Sequence, residues 1–297
     1  MMGNPVNDID AILITGPTAS GKSALAVELA SRHGGVVINA DSMQVYDTLQ
    51  ILTARPSQEE MKGIPHHLYG HVAAKAAYST GIWLREISRL LEQLRQQRAM
   101  PVIVGGTGLY FKALTGGLSP MPDVPAEIRD GLRQRLIAEG AEPLYRELAL
   151  RDPPMAASLK PQDGQRIVRA LEVLDATGQS LTTLQGLAGP VIVDPARARK
   201  IVVLPERRVL HERIDGRFEK MLAASAEQEV VDLLALDLAP EQPVMKAIGV
   251  SQIAAMLRGD ISRSDVLALG AAATRQYAKR QMTWFRNQMD ESWERIG

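Results

Sequence analysis

The chain has 297 residues, with 34 Lys+Arg against 34 Asp+Glu, a net charge of zero and 45% hydrophobic residues. This profile excludes disorder throughout, and the length allows one or two domains with a sizeable core. There is no cysteine, so disulfide scaffolds, Cys-ligated zinc, iron–sulfur clusters and thiol nucleophiles are excluded.

Met1 to Asp10 is polar and acidic, unlike a secretory leader. No apolar run reaches the roughly 18 residues of a membrane span. The expected compartment is therefore the cytoplasm, with no membrane partner. Ala11-Ile-Leu-Ile-Thr15 is a short uncharged apolar run that predicts a strand, and a Gly-rich turn leads from it into a predicted helix over 22–32. Val36-Val-Ile-Asn-Ala40 predicts a second strand ending at Asp41. Ile82, Leu84, Ile87, Leu90, Leu91 and Leu94 recur near the helical period and predict a helix over 81–98. Pro101-Val-Ile-Val-Gly105 predicts a third strand, followed by Gly105-Gly-Thr-Gly108. Strands alternating with helices imply a parallel sheet covered by helices, with ligands at the carboxyl ends of its strands.

The pattern changes at Leu118-Ser-Pro-Met-Pro-Asp-Val-Pro125, whose prolines exclude a helix or a central strand. Helices are expected over 126–139, 143–150 and 165–177, and the next strand over 200–205. Residues 118–199 thus read as a helical insertion. After Pro205 the chain reads as helical nearly to its end.

Gly16-Pro-Thr-Ala-Ser-Gly-Lys-Ser23 matches the phosphate-loop pattern G-x-x-x-x-G-K-[ST] between a predicted strand and a predicted helix, the context that supports it. Glycines let backbone N–H groups turn toward a phosphate, and the helix start adds unsatisfied donors and the positive dipole end. Lys22 supplies charge and the Ser23 hydroxyl can ligate Mg²⁺. The loop specifies a polyphosphate grip and leaves the rest of the ligand open. Asp41 follows the second strand and reads as a general base or metal-linked carboxylate, or as a cap of the next helix. Thr107 offers a hydroxyl after the third strand, or serves the turn alone. His66 and His67 read as a structural turn and not as metal ligands.

Together these stretches resemble the tRNA dimethylallyltransferases, also called tRNA isopentenyltransferases, of bacterial type. The resemblance rests on the phosphate loop, Asn39-Ala-Asp-Ser-Met-Gln-Val-Tyr46, Thr53-Ala-Arg-Pro56, Ile64-Pro-His-His-Leu68 and Val104-Gly-Gly-Thr-Gly-Leu-Tyr110. It continues through Gln165-Arg-Ile-Val-Arg-Ala-Leu-Glu172, Arg213-Ile-Asp-Gly-Arg-Phe218 and Thr274-Arg-Gln-Tyr-Ala-Lys-Arg-Gln-Met-Thr-Trp284, in the family's order. The family usually has Gly-Tyr where this chain has Gly249-Val250.

The resemblance implies transfer of a dimethylallyl group from dimethylallyl diphosphate to N6 of an adenine beside the tRNA anticodon, releasing diphosphate. It implies an α/β fold: a P-loop NTPase-like parallel-sheet core over 1–117 and 200–297, a helical insertion over 118–199 that contacts the anticodon arm, and a helical C-terminal region. The expected catalytic set is Asp41, Thr107, Arg217 and Thr18. The diphosphate is expected on Gly16, Pro17, Thr18, Ala19, Ser20, Gly21, Lys22 and Ser23, with Mg²⁺ as the cofactor held through Ser23. Asp41 would accept the proton of the attacking amine. The base must leave its stack to reach the cleft, with Thr107 and Gln44 placed to hold it. The tRNA positions are Asp41, Ser42, Met43, Gln44, Thr107, Arg129, Gln165, Arg166, Ile167, Val168 and Arg169. A monomer is expected.

Three rival readings share the phosphate loop. A nucleotide kinase needs a basic lid over ATP, but residues 118–200 carry equal numbers of basic and acidic residues. A GTP switch needs an Asn-Lys-x-Asp signature, which is missing from the sequence. An isopentenyltransferase acting on free adenine nucleotides is the closest rival, and the insertion with Gln165 to Arg169 favours tRNA. Zero net charge and few aromatic residues weigh against nucleic acid at first sight. Locally the balance differs: from Ser262 to Arg286, Arg263, Arg275, Lys279, Arg280 and Arg286 face a single acid, Asp265. A balanced sum with local basic residues predicts modest affinity for arbitrary RNA and selection by shape.

Overall fold

The structure, a computed structural model, describes residues 9–119 and 121–297. The reading of the N-terminus as leaderless falls outside the described residues for positions 1–8, as does Pro120 of the proline-rich stretch. Among the described residues no helix is long and apolar enough to cross a membrane.

The chain forms two compact units, one of residues 9–115 with Ile192–Gly297 and one of Gly116–Val191. The first is built on six parallel strands: β1 (Ala11–Thr15), β2 (Val36–Asn39), β3 (His66–His67), β4 (Pro101–Gly105), β5 (Ala198–Val203) and β6 (Glu294–Ile296). Their order is β3-β2-β4-β1-β5-β6. Every residue of β1, β2 and β4 is buried, which is why these strands read as unbroken apolar runs instead of alternating ones. Alternate side chains serve opposite faces. Leu13, Ile38 and Ile103 join one core with Trp83, Ile87, Leu91 and Phe111. Ile12, Ile14, Val37, Val102 and Val104 join another with Ala26, Val27, Leu29 and Ala30. The covering helices are α1 (Lys22–His33), α2 (Gln58–Met61), α3 (Thr80–Gln97) and α4 (Gly108–Gly116). Ser79 caps α3 by accepting from Ile82 N–H.

β1 pairs with β4 on one side and β5 on the other, with Thr15 opposite Gly105 and Val202. The chain leaves β1 toward β2, passing over β4, and later returns to β5 on β1's far side. The sheet therefore has its switch point at β1, where a doubly wound sheet opens its binding crevice.

Several sequence expectations are corrected. Pro101–Gly105 is the fourth strand, because His66 and His67 form a short edge strand parallel to β2 and not a turn. The C-terminal region is helical to Gln288, as expected, and the last residues then return to the sheet as β6 beside β5, a strand the sequence did not announce. Both strands were too short to show a hydrophobic period. β5 starts at Ala198, two positions before the expected strand.

The second unit holds α5 (Ala126–Glu139), α6 (Ala141–Arg151), α7 (Pro153–Ala157), α8 (Gly164–Thr177) and α9 (Leu181–Gln185). Leu132, Leu144, Leu148, Ile167, Leu171 and Leu181 pack its core. Asp152 caps α7, with Pro153 at the first helical position. This unit ends before the expected boundary at 199. Ile192 N and Val193 N both donate to Leu114 O, and Val193 is buried in the core of the first unit.

The C-terminal half of the first unit adds α10 (Arg207–Ala223), α11 (Ala226–Leu234), α12 (Val250–Leu257) and α13 (Arg263–Gln288). Ser262 and Asp265 form a capping box at the start of α13. Phe218 of α10 fits against Gly270 of α13, where a Cβ would come within 2.0 Å of its ring. Arg275 pairs with Asp215 across the same two helices.

Candidate active site

The phosphate loop connects β1 to α1. Gly16 lies so close to β5 that a Cβ there would come within 2.6 Å of the Val203 carbonyl. Gly21 takes a left-handed conformation (φ 92°) and ends the loop without any side-chain cap for α1. The first N–H groups of α1 are thus left to an anion. Among the described residues, Ser20 Oγ is buried without a hydrogen-bond partner. Lys22 Nζ donates to Pro17 O at 3.1 Å. Burial lowers the Lys22 ammonium to about 8; Arg217 reinforces this and the Asp41 carboxylate opposes it. An ammonium destabilised in the free protein gains most from a polyanion.

The segment after β2 presents Asp41. Asn39, fully buried, accepts from Asp41 N at 2.9 Å through Oδ1 and donates through Nδ2 to Asp41 O and Leu68 O. Trp83 Nε1 donates to Asn39 O. Asp41 Oδ1 accepts from Met43 N at 2.9 Å, and among the described residues no donor reaches Oδ2, which is left to accept a proton. The carboxylate forms a local turn and does not cap a helix. Gln44 turns its amide inward, donating to Thr53 O and Ala54 O at 2.9 Å each. Its donors hold the Thr53-Ala-Arg-Pro56 turn, so its amide oxygen is the group it could offer to the adenine or its neighbours.

Thr107, after β4, joins the two turns: its N–H donates to Ala40 O, and its Oγ1 accepts from Ser42 N at 3.0 Å. Residues that the sequence reading did not single out complete the frame. Gln281 of α13, 6% exposed, connects the phosphate loop with the β4 turn. Arg213 of α10 donates to Ser20 O at 3.3 Å. Glu229 of α11 accepts from the N–H groups of Gln50, Ile51 and Leu52. Gln281 and Arg213 sit within matched stretches, but nothing in one sequence shows which turn they reach.

A cleft of 310 Å³ lies among these elements. Thr18, Asp41 and Ser42 line one wall, Arg217 and Phe218 come from α10, and Thr274, Tyr277 and Arg280 come from α13. Leu52, Ile214, Met221, Ala247 and Ile248 make an apolar wall. Burial lowers the Arg217 guanidinium, offset by Glu60 and Asp41. Burial and then Asp41 hold the Tyr277 phenol above its ordinary range, so it stays neutral. The expected catalytic set is therefore brought together in part by direct lining: Thr18, Asp41 and Arg217 face the cleft, with Thr107 one hydrogen bond behind Ser42.

Mg²⁺ fits this donor set in one way. Among the described residues no group of three or more His, Cys, Asp and Glu could hold a metal ion. Ser23, exposed in the first turn of α1, supplies a hard oxygen beside the anion cradle.

In the helical unit Gln165 and Arg166 are exposed; Arg166 lies 3.6 Å from Asp163. Arg169 pairs with Glu172, and Arg129 donates to Val124 O. Ile167 and Val168 are buried in that unit's core. Their side chains are withdrawn from any RNA surface, which corrects the expectation for them: on one helix, neighbours of an exposed pair face inward. Val250 is 2% exposed and packs in the core of the first unit. Of the five basic residues of α13, Arg263 pairs with Glu227 and Arg275 with Asp215. Lys279, Arg280 and Arg286 are exposed and carry the local positive charge.

Comparisons with known proteins agree with this geometry. The family model described as IPP transferase matches residues 44–288, and that described as isopentenyl transferase matches 9–70. A tRNA dimethylallyltransferase of Rhizobium rhizogenes is 74% identical over 296 residues, 100% of this chain and 99% of the relative. That of Rhizobium johnstonii is 70% identical over 295 residues, 99% of each. The full-length tRNA isopentenylpyrophosphate transferase of Bacillus halodurans matches with TM-score 0.68 at 30% identity, over 97% of this chain and 89% of that one. A eukaryotic dimethylallyltransferase acting on tRNA matches with TM-score 0.78 at 29% identity, over 93% of this chain and 69% of that one.

Proposed function

The chain belongs to the IPP transferase family, the tRNA dimethylallyltransferases, and from that premise we propose how its residues carry the reaction. It is a transferase with a P-loop NTPase-like α/β fold that moves a dimethylallyl group to a tRNA adenine. The donor is dimethylallyl diphosphate and the acceptor is N6 of an adenine beside the anticodon. The observation that carries this reading is the open Oδ2 of Asp41 in one cleft with Thr18 of the phosphate loop and Arg217.

The diphosphate seats in the loop from Gly16 to Ser23, on the N–H groups of Ala19, Gly21, Lys22 and Ser23 that the loop does not use itself, with Lys22 and Arg217 neutralising its oxygens. Arg217 suits this because a planar guanidinium grips phosphate oxygens in pairs. Mg²⁺, held through Ser23 and the diphosphate itself, would add charge neutralisation to the leaving group. The five-carbon tail lies on the apolar wall of Leu52, Ile214 and Met221. The adenine, turned out of its stack, places N6 between the allylic carbon and Asp41. The N–C bond forms as the C–O bond to diphosphate breaks, and Asp41 Oδ2 takes the amine proton. Because this amine is a weak nucleophile, a well-placed acceptor matters more than a strong base.

The test incubates the protein with dimethylallyl diphosphate, Mg²⁺ and unmodified tRNA, AMP or ATP in parallel. Prenylation of the tRNA alone is expected. Rapid ATP turnover without prenyl transfer overturns the reading, and prenylation of AMP in preference to tRNA replaces it with the free-nucleotide activity.

The helical unit is proposed to contact the anticodon arm through Arg129, Gln165, Arg166 and Arg169. Phosphate contacts release counterions, so tRNA affinity falls as salt rises. Arg166→Ala is expected to lessen the log–log slope by about 1 while leaving prenylation context unchanged. A salt-independent affinity overturns the assignment of this surface. The protein is proposed to act as a cytoplasmic monomer, which sedimentation with and without tRNA checks directly.

A further inference from the structure

The diphosphate cradle and the proton acceptor sit on different turns, one after β1 and one after β2. Transfer requires a fixed span between them, because the allylic carbon must lie within reach of N6 while both ends are held. We propose that Gln281 of α13 is the positioning residue that fixes this span. The inference rests on the assignment of Thr18 and Asp41 to the two ends of the reaction.

Gln281 is buried, and both halves of its carboxamide are committed. Oε1 accepts from Thr18 N at 2.9 Å, and Nε2 donates to Gly106 O at 3.0 Å. The amide orientation follows from the partners, since an N–H requires the oxygen and a carbonyl requires the NH₂. The two contacts are 263 and 175 residues away in sequence. Among the described residues no other side chain hydrogen-bonds both the phosphate loop and the β4 turn. That turn is itself fastened to the Asp41 segment by Thr107, through Ala40 O and Ser42 N. Gln281 therefore closes a chain of hydrogen bonds from Thr18 through Gly106 and Thr107 to the residues flanking Asp41.

The packing at Gly106 shows how little slack exists. A Cβ there would come within 2.4 Å of Gln281 Nε2 and 3.2 Å of Asp41 Oδ2. The carboxamide and the proton-accepting oxygen thus both lie against Gly106, with no room there for a methyl group. One turn further along α13, Trp284 covers Gly108, where a Cβ would meet the indole at 2.2 Å. The helix is thereby seated on the Gly105–Gly108 turn at two levels, by Gln281 at Gly106 and by Trp284 at Gly108.

The experiment compares the wild-type chain with Gln281→Ala and Gln281→Glu, using dimethylallyl diphosphate, Mg²⁺ and unmodified tRNA. Wild-type transfer to tRNA is the control: its failure removes the reading of the site, whereas the variants test only Gln281. Gln281→Ala is expected to lower kcat by about 30-fold, as a loosened reacting geometry does. Dissociation constants for tRNA and the diphosphate substrate should stay within about 2-fold.

Gln281→Glu separates positioning from mere packing. A protonated carboxyl reproduces the native pattern, accepting from Thr18 N and donating to Gly106 O. An ionised one faces the Gly106 carbonyl and the Asp41 carboxylate. Burial and that like charge raise its pKa toward neutrality. The ratio of its kcat to that of wild type should therefore rise about 10-fold between pH 8 and pH 6. A ratio that is flat with pH, or a Gln281→Ala kcat within about 3-fold of wild type, overturns the proposal. Because the pH ratio is measured within one folded variant, instability of Gln281→Ala does not obscure it.

Discussion

Asp41→Ala is expected to lose prenyl transfer by about 10²- to 10⁴-fold while retaining its affinity for dimethylallyl diphosphate, the range that removal of a positioned proton acceptor produces. Affinity should survive because the cradle is built from backbone of the β1 turn, Lys22 and Arg217, and Asp41 opposes an anion rather than attracting it. Its carboxylate raises the proton affinity of Lys22 and Arg217 in the free protein, a role that the bound diphosphate takes over.

Asp41→Asn sharpens the test. The asparagine oxygen can still accept from Met43 N as Asp41 Oδ1 does, which preserves the turn, but it takes no proton from N6. Loss of turnover by both variants assigns the effect to proton acceptance. Recovery in Asp41→Asn would show instead that Asp41 only shapes the loop, and normal turnover in Asp41→Ala removes it from the mechanism. The rate of single-turnover transfer, measured with substrate affinity, distinguishes these outcomes.

Lys22→Ala is expected to lower transfer by about 10²- to 10³-fold, as loss of one fixed donor to a developing anion does, and to weaken diphosphate binding. The pH dependence carries a sign that follows from burial. Folded, Lys22 holds its proton only up to about pH 8, against an ordinary 10.5. Between those values the unfolded chain binds the extra proton, so this group makes the empty protein more stable as pH rises, and its penalty is complete below about pH 8. A bound diphosphate reverses the cause by supplying a counter-charge. Binding above about pH 8 should then take up a proton, and affinity should fall as pH rises further. Calorimetry in buffers of different ionisation enthalpy reads the proton. The difference between wild type and Lys22→Ala cancels the titration of the diphosphate itself. No difference between them from pH 7 to 9.5 would remove Lys22 as the pH-sensitive contact.

Much of the site was readable because its chemistry is local. A strand, a glycine turn and a helix start are contiguous at Gly16–Ser23, and backbone donors need no distant partner to form an anion cradle. The runs of β1, β2 and β4 were readable for a related reason: strands buried on both faces must be apolar throughout. The three longer helices of the second unit, α5, α6 and α8, announced themselves by proline punctuation and period.

What tertiary structure alone decided are the elements whose stability is borrowed. His66–His67 and Glu294–Ile296 are strands only because β2 and β5 offer parallel edges to receive them. Gln44 spends its amide donors on the turn at Thr53 and Ala54, which its place in the sequence does not show. Ile167 and Val168 share a stretch with exposed Gln165 and Arg166, yet helix rotation turns them into the core. Gln281 bonds to Thr18, 263 residues away, and no spacing rule spans that distance. The sequence by itself determined the parallel α/β core, the phosphate grip and the carboxylate beside it, since each rests on neighbours along the chain. Folding determined which side chains keep free donors and acceptors in the cleft, because a hydrogen bond is available for chemistry only where packing has not already used it.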